Sequence, residues 1–294
     1  MSIVKSFSVG EGDMFYIRHD TDNFTIIDCC MSEEDREKLI NELKSESKSK
    51  NIIRFISTHP DDDHILGLAY LNKKMEILNF YCVKNETTKD DATDDFNEYC
   101  KLRDDSKKAF YIYQDCSRKW MNKSSEERKS SGIDILWPDT SNETYKEELG
   151  NAKEGGSPNN ISPIVRYALE NGAKVLWMGD LKTEFMEKIK DAIQIENIDV
   201  LFAPHHGRDS GKVPEDWLSE MNPKIIIIGE APSEDLNYYA EYDTITQNSA
   251  GDIILECLSG KIHIYVSNED YSVDFLKDED MPNTYGKYIG TLLV

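Results

Sequence analysis

The run Asn51-Ile52-Ile53-Arg54-Phe55-Ile56-Ser57-Thr58 passes without a break into His59-Pro60-Asp61-Asp62-Asp63-His64-Ile65-Leu66-Gly67-Leu68. The first part is short, apolar and rich in β-branched and aromatic residues, which is the pattern of a buried strand. The second part is a polar tip in which His59, Asp61, Asp63 and His64 fall within six residues. A strand end delivers such side chains into a loop, where close spacing lets several of them converge on one point. Imidazole alternating with carboxylate is a donor set for a divalent ion, or for a pair of ions. The competing reading is a solvated acidic turn. Two histidines framing that turn, directly after a buried strand, weigh against it.

Upstream, short strands alternate with tight turns: VKSFSVG, then Glu11-Gly12-Asp13, then MFYIRH, then the polar Asp20 to Asn23, then FTIIDCC. Asp28 closes the last of these apolar runs. Residues 32–50 carry Leu39, Ile40 and Leu43 at helical spacing among Glu and Lys, which predicts an amphipathic helix. Downstream, residues 84–131 are a polar insert of surface helices and loops. IDILWP then reads as a strand and residues 139–157 as a loop. NNISPIVRYALENGAKVLWMGD gives two strands joined at Asn171-Gly172. Residues 182–195 read as a helix, IDVLFAP and PKIIIIG as buried strands, and GDIILECLSGKIHIYVS as a hairpin turning at Ser259-Gly260. The order predicts an α/β chain of one domain, residues 1–294, in which two sheet-plus-helix halves pack face to face with a site on their shared rim.

A second histidine cluster, His205-His206-Gly207, also ends an apolar strand. Between the clusters, Leu176-Trp177-Met178-Gly179-Asp180 ends a strand on an Asp, after a Gly that permits close backbone approach. By itself the His pair reads equally well as a surface feature, and Asp180 as the N-cap of the following helix. Three such strand ends in one chain are far more specific than any one.

The 294 residues carry 34 Lys+Arg against 56 Asp+Glu, a formal charge of −22, with 39% hydrophobic and 10% aromatic residues. That apolar content excludes a disordered acidic chain, and no run approaches the roughly 20 apolar residues of a membrane span. The N-terminus lacks the pattern of a signal peptide. The six cysteines form no C-x-x-C pair, which argues against a zinc ribbon or a redox motif. Reduced thiols and a cytoplasmic location are the expectation. A surface this acidic repels phosphate backbones, so unaided, non-specific binding of duplex DNA is disfavoured.

These motifs together resemble the metallo-β-lactamase superfamily, and within it the soluble hydrolase domain of ComEC-type competence proteins. His59-Pro60-Asp61-Asp62-Asp63-His64 resembles the superfamily's H-x-H-x-D-H, with the second His replaced by Asp as in the ComEC-like branch. Val9-Gly10-Glu11-Gly12-Asp13, Asn159-Asn160-Ile161-Ser162, Met178-Gly179-Asp180 and Pro204-His205-His206-Gly207 match that branch in order, over residues 3 to about 266. The resemblance implies an αββα sandwich with a metal centre at the rim between its sheets. It places one ion on His59 and Asp61 and a second on Asp63 and His64, with Asp180 as the bridging carboxylate. Either His205 or His206 takes the last ligand position, with His206 slightly favoured. Asp28 corresponds to an Asp that orients ligands through hydrogen bonds.

The superfamily's separate histidine before the bridging Asp is missing, because no His lies between His64 and His205. Asn160 or Ser162 falls where that loop should be. One or two ions therefore remain open, and the carboxylate-rich set shifts preference from Zn²⁺ towards Mn²⁺ or Mg²⁺. His19 and His263 stand on strand-like segments without a partner motif and read as structural. The implied activity is a metallohydrolase using a metal-activated water, with Asp61 or Asp63 accepting its proton. Arg208 is either a phosphate contact or a surface ion pair. A phosphodiesterase or nuclease acting on nucleic acid or nucleotides is the leading reading. Hydrolysis of small esters, lactones or thioesters, and a catalytically weak regulatory subunit, are the alternatives. Long duplex DNA would need a partner protein or a local basic strip. Lys101, Arg103, Lys107 and Lys108, or Arg118, Lys119 and Lys123, are candidates for such a strip, though each group reads more readily as a solvated helix face. Stand-alone relatives of this branch look like components of bacterial anti-phage systems, which implies a partner ATPase or sensor subunit.

Overall fold

The structure, a computed structural model, describes residues 1–294. Period-two alternation along its first strands sends neighbouring side chains to opposite faces. In β1 (Ser2–Ser6) and β2 (Phe15–Arg18), Ile3 and Tyr16 face outward to helices, while Val4, Phe15 and Ile17 face the inter-sheet core. β3 (Asn23–Ile27) and β4 (Ile52–Ile56) continue the rule, with Phe24, Ile26 and Phe55 outward and Ile27 and Ile56 inward. These strands lie in a nine-stranded sheet that adds β5 (Phe80–Cys82) and β6 (Ala109–Tyr111) at one end.

The second sheet has six strands: β7 (Ile133–Trp137), β8 (Ile164–Ala168), β9 (Lys174–Trp177), β10 (Val200–Phe202), β11 (Ile225–Ile228) and β12 (Thr244–Thr246), adjacent in that order. From β9 to β12 they run parallel, and β11, Ile225 to Ile228, is wholly aliphatic and buried on both faces. The hairpin of β13 (Ile253–Leu258) and β14 (Lys261–Val266) returns to the first sheet, where β13 pairs with β1 and β14 with a last strand, β15 (Lys287–Leu293). The halves are therefore not consecutive in sequence, as the order of elements had suggested. The last strands of the chain, from Ile253 onward, complete the sheet that the N-terminus begins.

Helices cover both outer faces, giving four layers. Over the first sheet lie α1 (Arg36–Ser47), the short α2 (Asp62–Ile65), α3 (Leu68–Met75) and α4 (Asp94–Asp104). In α1, Leu39, Ile40, Leu43 and Ser47 form the buried stripe. Residues 139–157 are not all loop: α5 spans Glu143–Lys153, its first turn capped by Asn142, whose side chain accepts from the Tyr145 N–H at 3.0 Å. Tyr145, Leu149 and Ala152 then fall on its packed face. The helix expected over 182–195 ends earlier, as α6 (Thr183–Ile189) followed by a 3₁₀ turn. With α7 (Glu215–Met221) it packs on the second sheet, and α8 (Gln247–Ala250) precedes β13. No helix is long and apolar enough to cross a membrane.

The inter-sheet core carries an aromatic group just below one rim. Phe15, Trp177 and Phe202 form an aromatic cluster, with Phe202 4.9 Å from Phe15 and stacked on Trp177 at 5.2 Å between ring centroids. Asp13 lies two residues before Phe15, Asp180 three after Trp177, and His205 three after Phe202. Packing below thus fixes where the polar loops start.

Candidate metal centre

Four loops from both sheets meet at that rim. Asp28 follows β3, His59 to His64 follow β4, Asp180 follows β9, and His205-His206 follow β10. Several of these residues adopt left-handed backbone: Asp28 at φ 54°, His205 at 53°, His206 at 57° and Gly179 at 51°. Such conformations cost a non-glycine residue energy and persist only when the surroundings impose them. At Gly179 the crowding is as severe as the twist, because a Cβ would lie 2.6 Å from the Ser162 Oγ and 2.9 Å from the Thr58 Cβ. Asp180 does not cap the next helix; Lys182 occupies the N-cap position, without a side-chain bond.

Asp180 is buried and four imidazoles turn their Nε2 atoms towards it. His64 Nε2 is 3.0 Å from its Oδ1; His205, His206 and His59 lie 3.6, 3.7 and 3.8 Å from its Oδ2. Each Nδ1 is engaged on the outer side. Asp28 Oδ2 lies 2.9 Å from that of His64, and Asp13 Oδ1 3.2 Å from that of His206. The Thr58 and Ser162 hydroxyls lie 3.1 and 3.2 Å from that of His59, and Ser210 Oγ 2.7 Å from that of His205. Asp28 is itself fixed by the Thr58 N–H at 2.7 Å and the Thr58 hydroxyl at 2.6 Å.

This pattern has a chemical consequence. A carboxylate on Nδ1 holds the ring proton there, so the lone pair of Nε2 faces inward. For His64 that lone pair would meet the Asp180 carboxylate, and two acceptors 3.0 Å apart are reconciled by a positive charge between them, either a second ring proton or a metal ion. The Nε2 atoms of His59, His64 and His206 and Oδ1 of Asp180 are buried without a hydrogen-bond partner. Donors bound to one tetrahedral ion at 2.0–2.2 Å sit about 3.4 Å apart, close to the separations found. Asp13, His64, Asp180 and His206 offer donor atoms within 4.8 Å of one another. The residues fit a divalent metal.

In the metal-free protein, protons do part of that work. Burial disfavours the charged ring of His64, but the negative charge of Asp180 at 3.0 Å and the Asp28 carboxylate on its other side outweigh it and hold the ring well above its ordinary value. His206 is opposed by burial and raised by Asp13 and Asp180, to about 10. His59 goes the other way, to about 3, because burial and the neighbouring His64 both disfavour its charge. Burial raises Asp63, but the nearby His206 ring at 3.4 Å and the charge of His64 outweigh it and bring the carboxyl to about 2. Burial leaves the Asp61 carboxyl raised, against the pull of Lys89.

The other motif residues stand further out. Asp63 Oδ2 is 3.4 Å from His206 Nε2 and Asp61 Oδ2 is 4.0 Å from His59 Nε2, and each side chain is about a third exposed. Ser162 stands behind His59 and also accepts from the Asp180 N–H at 3.3 Å, whereas Asn160 turns its Oδ1 to the Lys182 N–H at 3.1 Å. Arg208 pairs with Glu11 across the rim. Of the basic groups in the insert, Lys101 pairs with Glu98 and Arg103 with Asp104, and Arg118 packs over the ring of Phe110. His19 and His263 lie away from the rim, bonded to Thr25 and Thr291. Three residues of the centre's surroundings were given no role in the sequence reading: Asp13, noted only as the end of a turn and of the Val9–Asp13 motif, Ser210, and Lys89, whose ammonium lies 3.1 Å from Asp61 Oδ1.

No family model and no curated protein matches the chain. Among solved structures it is similar to a metallo-hydrolase, Igni18, from the archaeon Ignicoccus hospitalis, with 15% identity, 86% of this chain and 99% of that chain covered, and a TM-score of 0.48. It is also similar to the metallo-β-lactamase-fold protein YhfI from Bacillus subtilis, with 12% identity, coverage of 84% and 96%, and a TM-score of 0.47. A diphosphatase of the PhnP family gives 12% identity, coverage of 83% and 94%, and a TM-score of 0.41.

Proposed function

We propose that this chain is a metal-dependent hydrolase of the metallo-β-lactamase type that cleaves phosphodiester bonds in nucleic acid or nucleotides. The observation that carries the reading is the set of imidazole Nε2 atoms facing one buried carboxylate, each ring held from behind. In this reading His59 and Asp61 serve one ion position, Asp63 and His64 the other, and Asp180 lies between them. His206, buried and backed by Asp13, is the better placed of the histidine pair for the last position; His205 is more open to the rim. A divalent ion here supplies Lewis acidity and lowers the pKa of a bound water.

The chain's own residues do the rest. Asp28 and Asp13 hold the Nδ1 protons of His64 and His206, which keeps both Nε2 atoms available. Asp61 or Asp63, the partly exposed carboxylates, accepts the proton of the attacking water. Arg208 offers a cation to a substrate phosphate, which competes with Glu11 for it. The carboxylate-rich set suits Mn²⁺ or Mg²⁺ and phosphate chemistry better than lactone hydrolysis on Zn²⁺. With a net charge of −22, short or single-stranded substrates, or a polymer presented by a partner, suit the protein better than free duplex.

A matrix of metals against substrates tests this. Mn²⁺-dependent cleavage of bis(p-nitrophenyl) phosphate or single-stranded DNA, lost in Asp63→Ala and Asp180→Ala, is the expected result. Activity on simple esters with none on phosphodiesters sinks the phosphodiesterase reading.

A further inference from the structure

Asp61 differs from the other acidic residues of the centre in what holds it. Asp28 is fixed by Thr58, Asp13 lies against His206, and Asp63 against the same ring from the other side. Asp61 has one close partner, and it comes from the polar insert. The Lys89 ammonium lies 3.1 Å from Asp61 Oδ1 and 3.2 Å from Asp62 Oδ1, and its side chain is only 19% exposed. The other oxygen of Asp61 is the one nearer His59 Nε2.

The segment carrying Lys89 is anchored. The neighbouring Thr88 donates its N–H to the Ala152 carbonyl at 3.2 Å and its hydroxyl to the Lys153 carbonyl at 2.8 Å, at the end of α5. The Lys89 ammonium also sits over the Phe96 ring of α4 at 5.6 Å. One residue before Phe96, Asp95 accepts from the N–H groups of Gly67 and Ala69, at 2.8 and 2.9 Å, just past the His59–His64 motif. The insert thus grips the motif loop at two points.

We propose that Lys89 is a positioning residue, holding Asp61 so that its second oxygen faces His59 and completes the ion position between them. This rests on the metal-centre reading above. Two effects oppose each other. An ammonium beside a ligand repels an incoming cation, but orientation of a ligand by its outer partner is worth 10–100-fold in metal affinity. Five carboxylates surround the site, so one added positive charge changes its field little, whereas Asp61 has no other holder. Orientation wins.

The test uses the full chain and metal titration rather than turnover. Mn²⁺ binding by calorimetry, and the visible absorption of Co²⁺, are compared for wild type, Lys89→Gln and Lys89→Arg. The expected result is that Lys89→Gln weakens one binding step about tenfold and alters the Co²⁺ spectrum. Lys89→Arg, which keeps the charge and the donors, recovers most of the loss. Each chelated variant should still unfold in a single cooperative urea transition, so that the change in binding is not a loss of fold. Equal or tighter binding by Lys89→Gln, or a loss that Lys89→Arg does not relieve, overturns the role of Lys89 alone. No uptake of either metal by wild type overturns the metal-centre reading and this inference with it.

Discussion

Asp28 Oδ2 lies 2.9 Å from His64 Nδ1, and neither side chain reaches solvent. The pair sits at the meeting of two adjacent parallel strands: Asp28 directly follows β3, and His64 ends the loop that leaves β4. Asp28→Asn removes the carboxylate that fixes the ring proton. Mn²⁺ affinity should fall about 10–100-fold. Calorimetry measures it directly, and unchanged affinity would mean that the ring is oriented by something else.

Metal should stabilise the fold through Asp180. At a free Mn²⁺ concentration 100 times the dissociation constant, wild type should gain about 2.7 kcal/mol in urea unfolding, and EDTA should reverse the gain. Asp180→Ala should gain almost nothing. A variant that still gains the full amount would remove Asp180 from the ligand set.

Gly179→Ala combines a left-handed backbone with a Cβ 2.6 Å from the Ser162 Oγ. The expected cost is more than about 1 kcal/mol, and because Ser162 also backs His59, Mn²⁺ affinity should fall as well. Both are read from unfolding curves with and without metal. A stable variant that binds normally contradicts the close approach.

His19 gives a pH signature away from the metal. It is fully buried, and burial first, then Arg54 and Lys50, hold its ring well below the ordinary 6.5. Because its folded pKa is depressed, the unfolded chain takes up a proton as pH drops below about 6.5 and the native chain does not. The contribution of His19 is therefore fully present above that value and is lost below it at about 1.4 kcal/mol per pH unit. In the chelated protein His59, pushed down to about 3, adds a like slope over the same range, so in urea titrations His19→Gln should reduce the wild-type slope by about 1.4 kcal/mol per pH unit rather than abolish it. Identical slopes count against it.

Phe202→Ala empties part of the aromatic cluster beneath the rim. The expected destabilisation is about 3–5 kcal/mol. Since His205 follows three residues later, metal affinity should fall in parallel. Loss of stability alone would show that the loops hold their geometry independently of the core.

The parts legible in the sequence were those governed by local pattern. Strands around Phe24, Phe55, Val175 and Ile226 follow from apolar runs bounded by turns, and Asp61, Asp63, Asp180 and His206 stand out because polar residues end those runs. What could not be read depends on long-range placement. Asp13 reaches His206 across 193 positions, and Lys89 reaches Asp61 only because β5 and α4 carry the insert back over the motif loop. The helix over Glu143–Lys153 was readable in principle from Asn142 and the spacing of Tyr145, Leu149 and Ala152, but its polar residues hid the stripe. The strand Lys287–Leu293 lies beyond any motif and is defined by its partner β14.

The pairing of β1 with β13 aligns Ser2 with Cys257 and Ser6 with Ile253. During synthesis the ribosome therefore releases an apolar first strand whose neighbour on one side arrives only after about 250 further residues, and non-local pairing of this kind slows folding. The proposed ligand set has the same timetable, since His59 to His64 are made long before Asp180 and His206. Any ion captured early would meet half a coordination sphere, so full affinity belongs to the finished chain, and chelation after folding tests a different barrier from chelation during it.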